Sequence, residues 1–335
     1  MDITLHPASQ IHGTLEVPGD KSISHRAALF GGIATGTTRI SNFLHAADTQ
    51  STLRCLQQLG VDVRTTKDAD GAELIEVTGS GFNGLKAPDA PLDCGNSGTT
   101  IRLLMGILAG RPFETTLAGD ESLSKRPMDR MQIPLGQMGA QISGAGERVA
   151  PPVTVRGGNL RGFTYDMPVA SAQVKTGVLL AGLQAEGKTV VIEPAAARDH
   201  TERMLRGFGV EVEQNGNSVG VSRADLQATD VRVPGDISSA AFFWVAAALR
   251  RGWQITVQNV GVNPTRTGVL DVLRDMGAEI EIANERISGG EPLADVTVRG
   301  AALRATEIGG ALIPRLIDEL PVLALLATQA EGKTV

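Results

Sequence analysis

The chain has 335 residues, 42% of them hydrophobic, 20% charged and 3% aromatic, with a formal net charge of −6. That size favours two packed domains with Ala/Val/Leu/Ile cores, and the acidic balance argues against a nucleic-acid partner, because phosphate-backbone binding wants a basic face. Two cysteines exclude a disulfide framework, no stretch carries the ~18 uninterrupted apolar residues of a membrane helix, and MDITLHPASQ lacks the basic head and apolar run of a secretion signal, so a cytoplasmic protein is expected.

In chain order, the strand TLEVPG leads into PGDKSISHRA, and RAALFGGIATGTTRIS then reads as an apolar helix, a glycine and an alternating strand. The same form returns in RLLMGILAGRPFETTL, VLLAGLQAEGKTV, FFWVAAALRRGWQITV and LALLATQAEGKTV, on Gly36, Gly110, Gly187, Gly252 and Gly332. After each of the first four comes a second helix that closes on a glycine before a strand: LRCLQQLGVDV, MQIPLGQMGAQI, ERMLRGFGVEV and VLDVLRDMGAEI. The repeat is therefore strand, helix, strand, helix, strand, present four times whole and once cut. The hexapeptide AEGKTV at 185–190 recurs at 330–335, and on the repeat period on the order of 100 further residues would complete a sixth unit.

Fourteen residues before each repeat glycine stand Ser22, Asn96, Gln173, Ser238 and Asp318, all polar and all near the start of a first helix. Taken singly such residues read as N-caps, and taken together as a set of helix N-termini suited to binding anions. VPGDKSIS at 17–24 returns as VPGDIS at 233–238, marking crossovers near residues 20 and 230: residues 1–20 with 230–335 form one lobe and 21–229 the other, with a cleft between them. Lys21 and Arg26 stand where the second copy has Ile237 and Phe242, so the cations occupy one copy only. GNSGTTIR is a Gly/Ser-rich turn opening a helix, GDESLSKRPM adds Lys125 and Arg126, and SAQVK adds hydroxyl, amide and ammonium donors including Lys175. In RDHTERM, Arg198 precedes a helix with Asp199 and His200 as available caps. Asp318 is the only carboxylate among the five helix-start positions, and it reads as a base or as the cap of ELPVLALLATQA. His25, Cys55 and Cys94 read as packing residues.

These motifs, PGDKSISHRA, GNSGTTIRLL, LSKRPM, SAQVK, RDHTE and LIDELPVLA, resemble in order those of the 3-phosphoshikimate 1-carboxyvinyltransferase (EPSP synthase) family, from about residue 5 to the last residue. The resemblance implies an α/β fold of enolpyruvyl transferase type, a two-lobed inside-out α/β barrel of βαβαββ units, here with the second lobe incomplete. It implies a monomer that transfers the enolpyruvyl group of phosphoenolpyruvate to the 5-hydroxyl of 3-phosphoshikimate, with no cofactor or metal. For 3-phosphoshikimate it points to Lys21, Ser22, Arg26, Ser171, Ala172, Gln173, Arg198 and Asp318. For phosphoenolpyruvate it points to Lys21, Asn96, Gly98, Arg126 and Gln173. Asp318 would be the general base, and Lys21 would touch both substrates. Alanine at 172, where the family often has a second serine, leaves only the backbone N–H as donor there. The alternatives are a UDP-N-acetylglucosamine enolpyruvyl transferase, which usually carries a reactive loop cysteine that GDESLSKRPM lacks, and a non-catalytic 3-phosphoshikimate binder.

Overall fold

The computed structural model describes residue 4 and residues 8–335, and part of the N-terminal stretch read for a signal lies outside them. The chain clusters into two compact units: Met1–Asp20, Pro234–Ile287 and Pro292–Val335 make the first, Lys21–Val233 and Ser288–Glu291 the second.

In chain order, β1 (His12–Glu16) belongs to the first unit. The second unit follows as α1 (Lys21–Ile33), β2 (Ala34–Ser41), α2 (Ala47–Gln58), β3 (Asp62–Lys67) and β4 (Glu73–Ser80). Its next module is β5 (Leu92–Asp93), α3 (Gly98–Leu108), β6 (Glu114–Ala118), α4 (Asp129–Met138), β7 (Gln141–Ala145) and β8 (Ala150–Arg156). The third is β9 (Thr164–Asp166), α5 (Ala172–Gly182), β10 (Thr189–Ile192), α6 (His200–Gly207), β11 (Glu213–Asn215) and β12 (Ser218–Val221), followed by β13 (Leu226–Gln227) and β14 (Val231–Arg232). The first unit resumes with α7 (Ile237–Ala248), β15 (Gln254–Gly261), α8 (Gly268–Asp275), β16 (Glu279–Ser288), β17 (Glu291–Arg299) and α9 (Leu320–Ala327).

Four sheets share one strand order: β13-β2-β4-β3, β5-β6-β8-β7, β9-β10-β12-β11 and β1-β15-β17-β16. In each, a leading strand lies parallel to the strand that follows the first helix, joined to it by a helical crossover in β5–β6 and β9–β10, and a hairpin completes the sheet. The repeat thus ends in two strands, one more than the sequence periodicity alone supplies. The leading strand of the first module is β13 with β14, which pair parallel to β2 from the far end of the third module and close the second unit on itself.

The first helices of the second unit are buried almost all round: α1 buries eleven of its thirteen residues, including Leu29 and Phe30 at zero exposure, each worth about 1.5–3 kcal/mol of hydrophobic stabilisation. Phe30 meets Phe208 edge to face at 5.7 Å. A Cβ added to Gly106 of α3 would lie 2.2 Å from the carbonyl oxygen of Gly177 in α5, so the two helices cross backbone against backbone and only glycine fits. The first unit packs around Trp244, whose indole N–H donates to the Val296 carbonyl at 3.3 Å. No helix among the described residues is long and apolar enough to cross a membrane.

Candidate active site

The five polar positions read from the repeat all lie within two residues of a first-helix start, but they are not the caps. Ser97 caps α3 by accepting from Thr100 N–H, Ser171 caps α5 by accepting from Val174 N–H, and Asp236 caps α7 by accepting from Ser238 and Ser239 N–H. Glu319 occupies the N-cap position of α9, one residue past Asp318. With the first-turn donors of α3 and α5 answered by these caps, Asn96 and Gln173 serve no capping need; Glu319 makes no side-chain cap bond. Asp199 stands at the N-cap of α6 but accepts from Arg203 Nε at 2.8 Å instead of capping, and His200 pairs with Glu291 at 2.9 Å.

Within the second unit the starts of α3 and α5 share one polar cluster. Gly98 opens α3; a Cβ placed there would come 2.7 Å from Arg102 Nη1 and 3.2 Å from Arg126 Nη1. Arg102 Nη1 donates to Gln173 Oε1 at 2.8 Å and to the Gly98 carbonyl at 3.1 Å, while Gln173 Nε2 donates to Thr99 Oγ1 at 3.0 Å. Burial, followed by the charges of Arg126 and Arg130, lowers the Arg102 pKa from its ordinary value. Arg126 is exposed and donates to Ser122 Oγ at 3.2 Å. Asn96 is exposed just ahead of this helix start. Guanidinium groups around a helix N-terminus built on glycine make a receptor for a small dianion.

Lys21, the first residue of α1, is 58% exposed and lies 3.4 Å from Asp48. His25 and then Lys21 hold the Asp48 carboxyl well below the usual carboxylate range. Arg26 is buried: Nε donates to Thr201 Oγ1 at 2.9 Å, Nη2 to Thr176 Oγ1 at 2.8 Å and Nη1 to the Ser22 carbonyl at 3.0 Å, tying α1 to α5 and α6. Ser22, Ser171, Ala172 and Arg198 are half-buried. Asp318 belongs to the first unit, is half exposed, and has Arg266 Nη1 at 3.9 Å.

Lys175 does not join the donors of the α5 start. It is fully buried and held between Glu193 at 2.8 Å and Glu202 at 2.6 Å. His25 packs without exposure, its Nδ1 2.7 Å from Thr52 Oγ1, and burial lowers its pKa. Cys55 and Cys94 are buried free thiols, the latter pushed up by its neighbour Cys55 and by burial. A cavity of about 580 Å³ in the second unit, lined by Arg111, Gln184 and Arg223, lies at the opposite, C-terminal ends of α3 and α5 and touches none of these residues. Arg102 and Arg266 received no role from sequence. A side chain four residues after Gly98 returns to the same helix face, which was the available signal for Arg102. For Arg266 it was the position two residues before a second helix, which Arg198 also occupies.

This fold is that of the enolpyruvyl transferases: the enolpyruvyl transferase NikO from Streptomyces tendae superposes with a TM-score of 0.75 at 18% identity, over 98% of this chain and 75% of that one. The chain belongs to the EPSP synthase (3-phosphoshikimate 1-carboxyvinyltransferase) family, whose model matches residues 5–335. It is 57% identical over 328 residues to the 3-phosphoshikimate 1-carboxyvinyltransferase of Geobacillus kaustophilus and 53% identical over 326 residues to that of Bacillus subtilis. These alignments cover 98% and 97% of this chain, and 76% and 75% of the relatives. EPSP synthase from Acinetobacter baumannii superposes with a TM-score of 0.91 at 49% identity, over 97% of this chain and 74% of that one.

Proposed function

We propose that the chain's activity, that of a 3-phosphoshikimate 1-carboxyvinyltransferase in the shikimate pathway, runs on the helix starts described above. The 5-hydroxyl of 3-phosphoshikimate adds to C2 of phosphoenolpyruvate as Asp318 takes its proton and C3 gains a proton to become a methyl; the tetrahedral ketal then expels phosphate as that methyl loses a proton, leaving the enolpyruvyl ether. The observation that carries the reading is the cluster of Gly98, Arg102, Arg126 and Gln173. Arg126 clamps phosphoenolpyruvate over the glycine floor, and Asn96 borders that subsite. Gln173, its amide fixed by Arg102 and Thr99, lies between the two substrates, and the Lys21 ammonium contacts both.

Ser171 Oγ, the Ala172 N–H and Arg198 hold the 3-phosphate of 3-phosphoshikimate, and Ser22 and Arg26 its carboxylate side. For Arg26 the structure supports a framework part of that role, since its guanidinium already bonds Ser22, Thr176 and Thr201. The protein acts in the cytoplasm as a monomer. Among the described residues no group of His, Cys, Asp and Glu is arranged to hold a metal ion.

Asp318→Asn tests the scheme. The amide is nearly isosteric and accepts no proton, so phosphate release should slow by roughly 10²–10⁴ while calorimetric binding of 3-phosphoshikimate persists. Normal turnover by this variant would remove Asp318 from the chemistry. Binding of UDP-N-acetylglucosamine in place of 3-phosphoshikimate would refute the substrate assignment.

A further inference from the structure

The start of α9 is held by a buried clamp that the reaction scheme does not use. Arg266, at 4% exposure, donates through Nη2 to Ser238 Oγ at 2.7 Å and to Glu319 Oε1 at 3.3 Å. Ser238 Oγ in turn donates to Glu319 Oε1 at 2.5 Å, and Glu319 is 1% exposed. Three elements meet there: the second residue of α7, the loop before α8, and the N-cap of α9. The loop carrying Arg266 is itself pinned, since Arg266 N–H donates to the Asn263 carbonyl at 2.8 Å and Arg315 donates to the Pro264 carbonyl at 2.8 Å and to Thr267 Oγ1 at 3.1 Å.

Asp318 immediately precedes the clamped glutamate. Glu319 takes the guanidinium's closer contact and compensates its charge, while Nη1 stands 3.9 Å from Asp318 Oδ2. A proton acceptor gains from a cation nearby that fixes its carboxylate, and loses basicity in a close bidentate pair. The arrangement places the cation 3.9 Å from the Asp318 carboxylate without a close bidentate pair.

We propose that Arg266, anchored by Glu319 and Ser238, is the positioning residue for Asp318 in the transfer reaction. The inference rests on the reading of Asp318 as general base. Its chemical content is geometric: the guanidinium sets where the carboxylate stands relative to the 5-hydroxyl, and misplacing a reacting group by an ångström costs about 10²-fold in rate.

The test is a double-mutant cycle on phosphate release by the native full-length enzyme, with Arg266→Lys and Asp318→Asn. Lysine keeps the charge that Glu319 needs and loses the fork that reaches Ser238 and Asp318 together. Arg266→Lys alone should lower kcat by about 10- to 100-fold with KM for both substrates within about twofold, and should change kcat less than about twofold in the Asp318→Asn background. Equal losses in both backgrounds would assign Arg266 to the framework alone and overturn the proposal, as would no loss in either. An Asp318→Asn enzyme with normal kcat would instead overturn the general-base reading beneath it. Should Arg266→Lys fail to fold, Ser238→Ala carries the same cycle, because it removes one anchor of Arg266 and leaves the buried ion pair in place.

Discussion

Lys175→Met removes the cation from a closed electrostatic cluster, and its cost follows from the geometry. The ammonium has no solvent exposure and lies 2.8 Å from Glu193 and 2.6 Å from Glu202, themselves 6% and 1% exposed. The cluster already carries one negative charge in excess, and burial raises the pKa of Glu193 even with the lysine beside it. Without Lys175 two carboxylates share a dry site, and breaking such a pair from one side costs about 3–5 kcal/mol. That is a large share of the about 5–15 kcal/mol that holds a domain folded. The deficit has a pH signature. A carboxyl whose folded pKa is raised loses stability as pH climbs from its unfolded value, about 4.3, towards the folded one. The loss relative to the parent should therefore be larger at pH 8 than at pH 5. Urea unfolding followed by circular dichroism at the two pH values measures it, and a companion with Lys175→Met, Glu193→Gln and Glu202→Gln together should recover most of the loss. A deficit below about 1 kcal/mol at pH 8, the range of an exposed pair, or one that does not change with pH, would refute the reasoning.

Four further outcomes are expected. Lys21→Ala should abolish turnover and weaken each substrate by roughly 10- to 150-fold, the equivalent of a charged hydrogen bond of about 1.5–3 kcal/mol, and unchanged calorimetric binding of both would sink its bridging role. Gly98→Ala places a methyl 2.7 Å from Arg102 Nη1 and 3.2 Å from Arg126 Nη1, so KM for phosphoenolpyruvate should rise with the melting temperature nearly unchanged. Gly106→Ala, by contrast, drives a Cβ to 2.2 Å of a backbone oxygen and should cost at least about 1–3 kcal/mol of stability, read from urea unfolding. Because burial lowers the pKa of His25, the unfolded chain takes up its proton near pH 6.5 and the folded chain only at lower pH, so stability should fall as pH drops through that window. His25→Gln should flatten the stability curve below about pH 6.5, and a curve of unchanged slope would place the titration elsewhere.

Local chemistry was legible in the sequence. The βαβα rhythm and the helix starts near Ser22, Gln173, Ser238 and Asp318 follow from hydrophobic periodicity, which acts over a few residues. The turn glycines Gly36, Gly187, Gly252 and Gly332 follow from the positive φ that each adopts. The motifs that carry the family resemblance are of the same short-range kind.

What tertiary structure alone decided lies in pairings across long stretches of chain. Nothing near Ala34–Ser41 announces that residues 226–232 will supply its parallel neighbour. Lys175 looked like a donor at a helix start because its two glutamates lie 18 and 27 residues downstream, and packing delivers them to it. Arg102 reaches Gln173 across 71 residues, and Arg266 reaches Glu319 across 53. Whether such a cation faces solvent, a ligand or a buried carboxylate depends on desolvation and long-range packing, and these exist only once the modules have closed on one another.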